Sequence, residues 1–192
     1  MHIYSEAIEP LHTLALGIEP LDVMCGRRLI RPIHVDIEAE PPGPLRGPRD
    51  SYRRPSWPHA PRPVATRHDS GVHVILAHHA LPAGVDLRFY EHERVYVPRR
   101  IRVPLAHYRE IRPTLFPGAA YPLASRATGL RGRVVRTVLD GTPVAWARVV
   151  ASINDQDIAY AHGDDRGEFL LILPPRAMSG SEITASIDVD RV

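Results

Sequence analysis

The chain has 192 residues, 44% of them hydrophobic and 24% charged, with 20 prolines, one cysteine and a formal net charge of +2. That composition suits a buried core in one large or two small domains and excludes global disorder; it also disfavours a helical bundle, since a proline inside a helix costs about 3 kcal/mol. The lone Cys25 excludes a disulfide framework and a Cys-rich zinc site, no apolar run nears the roughly 20 residues that cross a bilayer, and the charge balance argues against an obligate nucleic-acid binder.

In chain order, Met1-His2-Ile3-Tyr4-Ser5-Glu6 lacks a basic-then-apolar leader, which points to synthesis in the cytoplasm. Residues 1–12 read as an arm, whose Ala7-Ile8-Glu9-Pro10-Leu11 recurs as Gly17-Ile18-Glu19-Pro20-Leu21. Ile33-His34-Val35-Asp36-Ile37 alternates as a half-buried strand does. Residues 41–64 hold eight prolines and five arginines, a composition that fits an extended loop with polyproline character. Asp69-Ser70-Gly71 is a turn signal opening the strand Val72-His73-Val74-Ile75-Leu76. Asp86–Tyr90 and Arg94–Val97 are expected to pair as a hairpin through Glu91-His92-Glu93, and Arg100–Val103 closes the first half.

Pro113, Pro117 and Pro122 make 107–128 an ordered linker by pattern, not a helix. Strands are then expected at Arg131–Arg136, Val144–Ile153, Ile158–Ala161, Glu168–Leu173 and Glu182–Asp190, separated by turns at Leu139–Pro143, Asn154–Asp157 and Asp164–Gly167. The unbroken apolar run Phe169–Leu173 predicts a strand at a sheet centre. Short strands at this spacing predict an all-β fold, a sandwich or barrel.

The two halves share a pattern. Leu14–Ile37 and Val134–Ile153 each read strand, turn with glycine (Gly26, Gly141), strand. Each half then opens an apolar strand with an Asp-x-Gly turn, at Asp69-Ser70-Gly71 and Asp165-Arg166-Gly167. Glycine fits these positions because a left-handed backbone excludes most side chains.

Gly132-Arg133-Val134-Val135, Asp140-Gly141-Thr142-Pro143-Val144-Ala145-Trp146-Ala147-Arg148-Val149 and Asp164-Asp165-Arg166-Gly167-Glu168-Phe169-Leu170-Leu171, in that order, resemble the carboxypeptidase regulatory-like family. The resemblance covers the last third of the chain and implies a transthyretin-like sandwich, mostly a non-catalytic appendage in that family. The first half departs from it, with Cys25-Gly26-Arg27-Arg28 in place of the D-G-x-P turn. Two such domains in tandem also resemble small accessory or baseplate proteins of phage-tail-like contractile injection particles. The expected organisation is therefore an arm (1–12), a transthyretin-like or immunoglobulin-like β-sandwich (13–106) carrying the loop, a linker (107–128) and a second sandwich (129–192).

Catalytic patterns are sparse. His107-Tyr108-Arg109-Glu110 has the H-x-x-E spacing of zinc carboxypeptidases without the rest of their site, and no serine sits in a G-x-S-x-G elbow. His73, His78, His79 and His92 gather around one stretch, where surface or backbone-bonded histidines are the commoner outcome than a metal site. Cys25 beside Arg27 and Arg28 reads as a turn residue. No enzyme activity, cofactor or metal is expected. The main functional candidate is the loop, where Arg46, Arg49, Tyr52, Arg53, Arg54, Trp57 and Arg62 present guanidinium and aromatic groups on a stiff backbone to a protein partner; the N-terminal arm and strand edges, such as Ile183–Val189, are further expected contacts with neighbouring subunits of an assembly. The competing expectation is a carbohydrate- or ligand-binding module stacking its ligand on Tyr90, Tyr96 and Trp57.

Overall fold

A computed structural model of the chain describes residues 13–38, 64–77, 83–137, 141–175 and 184–188. Every regular element in them, a single-residue 3-10 position apart, is a β-strand, so the all-β expectation holds. The chain divides into two compact units. The first comprises residues 1–19, 35–88 and 100–112; the second comprises 20–34, 89–99 and 113–192.

The first unit contains β1 (Thr13–Ile18), most of β3 (His34–Glu38), β4 (Ala65–Arg67), β5 (His73–Ala77), most of β6 (Gly84–Tyr90), most of β7 (Arg99–Pro104) and β8 (Glu110–Ile111). One sheet has the order β4-β5-β1-β8 and the other β3-β6-β7. The strand β6 alternates as its sequence requires, with Val85, Leu87 and Phe89 buried and the residues between them half-buried. β8 runs parallel to β1, where Gly17 N–H donates to Arg109 O (2.8 Å) and Glu19 N–H to Ile111 O (2.9 Å). Arg112 Nε then meets Glu19 Oε2 at 3.0 Å.

The second unit contains β2 (Leu21–Asp22), β9 (Thr114–Leu115), β10 (Thr128–Arg133), β11 (Arg148–Ile153), β12 (Gln156–His162), β13 (Glu168–Leu173) and β14 (Thr184–Asp188). β2 pairs with β9 in parallel, β10 with β13 antiparallel, and β12-β11-β14 form a three-stranded sheet. The core between them is built from Val134, Ala147, Val149, Ala151, Ala161, Phe169 and Leu171. Asn154 and Asp155 both have positive φ, the two-residue hairpin geometry that suits the right-handed strand twist.

Three expectations change. Arg94–Val97 does not pair back on β6: Arg94 has φ 56°, the Glu91 carboxylate accepts Tyr96 N–H (3.1 Å), and Val97 N–H donates to Phe116 O (2.9 Å). The strand expected from Val144 begins only at Arg148, because Trp146 adopts φ 61° and its N–H donates to Asp164 O. β13 is not central among the described strands; its neighbour is β10 alone, and its apolar run follows from burial on both faces.

The recurrence in sequence has a structural counterpart. The left-handed glycines among the described residues are Gly26, Gly71, Gly141 and Gly167, the four that mark the two half-patterns. Gly26 N–H donates to Asp22 O and Gly141 N–H to Thr137 O, each spanning four residues. Gly71 N–H donates to His68 O and Gly167 N–H to Asp164 O, each spanning three. The side chain that opens each latter turn also caps it, with His68 Nδ1 accepting from Ser70 N–H and Asp164 Oδ1 from Arg166 N–H. Pairing recurs too: β1 lies antiparallel to β5 as β10 does to β13, and β3 neighbours β6 as β11 neighbours β14. The fourth strand differs, since β4 pairs with β5 whereas β12 pairs with β11.

Candidate docking groove and strand edge

Alternation in β11 and β12 gives the second unit two different faces. The partners Val149 and Ala161, and Ala151 and Ala159, face the core, so Arg148 and His162, and Val150 and Tyr160, share the opposite face. That face floors a cavity of about 780 Å³, walled by Leu170 and Ile172 of β13 and by Met24 and Phe116 from the flanking loops. Its size falls in the range of sites that enclose a small ligand or a few side chains of a partner.

Aromatic rings concentrate at one end. Phe116 and His162 have ring centroids 4.5 Å apart, Tyr160 and His162 5.7 Å, and Phe116 and Tyr160 6.3 Å. The Arg148 guanidinium lies 5.1 Å from the Tyr160 ring, a cation–π distance. Tyr160 remains 52% exposed and Met24 49%, so apolar surface faces outward here. Arg126 stands at the rim, while Asp157 is engaged by the Ser152 hydroxyl at 3.0 Å.

The loops around the groove are tied down by buried carboxylates. Asp22 Oδ2 accepts from the Tyr121 hydroxyl (2.7 Å) and the Tyr96 hydroxyl (3.1 Å), and its Oδ1 accepts from Met24 N–H (2.7 Å). Burial, together with this carboxylate, raises both tyrosine pKa values well above the ordinary value near 10. Asp164 Oδ1 accepts the amides of Arg166 and Glu168, while its other oxygen and Asp165 hold Arg94. The Arg94 hydrogen bond lowers the Asp165 pKa and raises that of Arg94 itself.

A second feature is the outer side of β10. Val134 N–H donates to Gly167 O, which sets the even residues of β10 as the hydrogen-bonded partners of β13. The amides of Arg131 and Arg133 therefore point away from β13, and among the described strands nothing pairs with that side. Their side chains reach backbone carbonyls, Arg131 that of Tyr121 and Arg133 that of Arg166. Gly132 is needed in this strand because a Cβ there would lie 2.9 Å from the Phe169 ring.

Of the sequence candidates, Arg46, Arg49, Tyr52, Arg53, Arg54, Trp57 and Arg62 lie outside the described residues, as do His78 and His79. Tyr96 is corrected as a stacking surface: it is buried and its hydroxyl is held by Asp22. Tyr90 stacks on His34 at 5.2 Å, beside His92. His107 is exposed, and Glu110 accepts from Arg112 Nε at 2.9 Å. His73 is buried opposite Ile18, and Cys25 is exposed. Among the described residues no group of three His, Cys, Asp or Glu is placed to hold a metal ion, and no helix is long and apolar enough to cross a membrane. The groove residues Phe116, Tyr160 and His162 did not stand out from sequence; the available signal was a strand with aromatic groups on its non-core positions.

No family model matches the chain, and neither a curated protein nor a solved structure matches it.

Proposed function

We propose that this chain is a non-enzymatic structural component of a multi-subunit assembly, made of two tandem transthyretin-like sandwiches that dock neighbouring chains. The observation that carries this reading is the partly exposed apolar groove over β11, β12 and β13, a surface whose exposed Met24 and Tyr160 would be covered in an assembly. The recurrence of turns and strand pairs supports the tandem arrangement. The resemblance of residues 132–171 to the carboxypeptidase regulatory-like family supports an appendage role, and the likeness to accessory proteins of phage-tail-like contractile particles makes such a particle the proposed setting. The loop residues Arg46 through Arg62 named above are the proposed partner contacts outside the groove. Expression of the tagged chain in its native cells, followed by sedimentation of particles, tests this. Co-sedimentation that is lost on deleting 41–64 or in Tyr160→Arg, with cooperative melting unchanged, is expected. Wild-type chain that stays free of any particle would overturn the reading.

A second reading, a carbohydrate-binding module, draws on the ring cluster Phe116, Tyr160 and His162. Glycan-array binding that disappears in Tyr160→Ala would favour it over docking.

A further inference from the structure

We propose that the outer edge of β10 accepts the N-terminal arm, residues 6–10, of a second copy of this chain as a parallel strand, in a head-to-tail contact. The inference deepens the assembly reading by naming acceptor and donor.

The first half of the chain contains the template. Ile18 pairs with His73, two residues beyond Gly71, and Gly132 pairs with Phe169, two residues beyond Gly167. Gly132 therefore corresponds to Ile18, and Arg131 and Arg133 correspond to Gly17 and Glu19. In the first half the amides of Gly17 and Glu19 are satisfied by the carbonyls of Arg109 and Ile111. In the second half the equivalent amides, those of Arg131 and Arg133, face away from β13 with no strand beside them among the described residues. An extended segment laid there in parallel would complete the ladder.

The chemistry of that segment follows from the charge at the edge. The strand beside β1 reads Ile111-Arg112-Pro113, and its Arg112 pairs with Glu19. At β10 the corresponding position is Arg133, so the sign is reversed and the incoming residue must be acidic. The arm reads Ile8-Glu9-Pro10, the same Ile-x-Pro frame with Glu9 in place of Arg112. In the template register Glu9 falls beside Arg133, and Ile8 beside Gly132, where the Phe169 ring lies over the glycine and offers an apolar surface. Arg133 bonds a backbone carbonyl and, although Glu168 is its cross-strand partner, no ion pair within 4 Å joins it to a carboxylate among the described residues, so it has a charge to offer. Because donor and acceptor are different surfaces of one chain, the contact is heterologous and propagates into a ring or filament.

The test is self-association of the purified full-length chain, read by light scattering after size exclusion over a wide concentration range. Concentration-dependent oligomers are expected. Glu9→Arg and Arg133→Glu should each weaken association roughly tenfold, as like charges meet in a strand pair. An equimolar mixture of these two variants should recover it, since each arm then finds an opposite charge. Recovery also shows that both variants fold. A synthetic peptide of residues 1–12 in excess should dissolve the oligomers, and its Glu9→Arg version should not. A chain that is monomeric at every concentration, or a mixture that fails to recover, overturns the proposal. So does sensitivity to Arg112→Glu in place of Arg133→Glu, which would mean that the arm replaces β1. These outcomes use pure protein and are separate from whether any particle contains the chain.

Discussion

The Tyr121 hydroxyl donates to Asp22 Oδ2 across 2.7 Å, joining a residue of β2 to a turn almost one hundred positions later. The same oxygen accepts from Tyr96, whose ring meets that of Tyr121 edge to face at 5.7 Å. One carboxylate thus fixes three separate stretches of chain in the second unit.

Asp22→Ala should therefore lower stability by about 2–4 kcal/mol, because a buried phenol (Tyr96) and a half-buried one (Tyr121) lose their acceptor. Tyr121→Phe removes a single hydroxyl and should cost about 1–2 kcal/mol. Urea denaturation of the two variants beside the parent checks the order; equal losses would deny Asp22 its central role.

The same tyrosines set an alkaline limit. Their folded pKa values are raised, so the folded state keeps protons that the unfolded state releases above its ordinary value near pH 10. The stabilising contribution is complete below pH 10 and is lost as pH rises toward the folded values. Stability measured from pH 8 to 11 should be flat and then fall. Tyr96→Phe should shift the onset of that fall upward.

Gly167 and Gly141 have similar left-handed backbones but different surroundings. A Cβ at Gly167 would lie 2.6 Å from Val134 O and 2.9 Å from Val144 O, whereas among the described residues nothing lies within 4 Å of one at Gly141. Gly141→Ala should cost about 1 kcal/mol from the backbone alone. Gly167→Ala should cost about 3 kcal/mol or more, since two backbone carbonyls must move as well. Thermal denaturation that ranks them the other way would refute the distinction.

Gly132 and Phe169 should be coupled. Gly132→Ala drives a methyl against the Phe169 ring and should cost about 1–3 kcal/mol as overpacking. In the background of Phe169→Leu the same change should cost much less, giving a coupling of about 1 kcal/mol in a double-mutant cycle. Additive losses would place the strain elsewhere.

The sequence carries the recurrence clearly because a left-handed turn selects for glycine, which leaves Gly26, Gly71, Gly141 and Gly167 as visible markers. Alternation likewise exposes β6 and the inward set Ala147, Val149 and Ala151. The groove is less visible, since Phe116 sits in a proline-bearing stretch with no period and meets Tyr160 and His162 only through long-range folding. The hairpin expected at 86–97 fails for a related reason. A side chain, Glu91, captures the Tyr96 amide that a ladder would have used, and no local pattern announces such a capture.

β1 finds its parallel neighbour about ninety residues downstream, at Ile111, so closing that pairing demands a wide excursion of chain before any bond rewards it. During synthesis the amides of Gly17 and Glu19 bond to water until Arg109 and Ile111 have left the ribosome. The sheet β4-β5-β1-β8 is therefore completed only once its last strand has emerged, which makes that margin the late-closing side of the first unit.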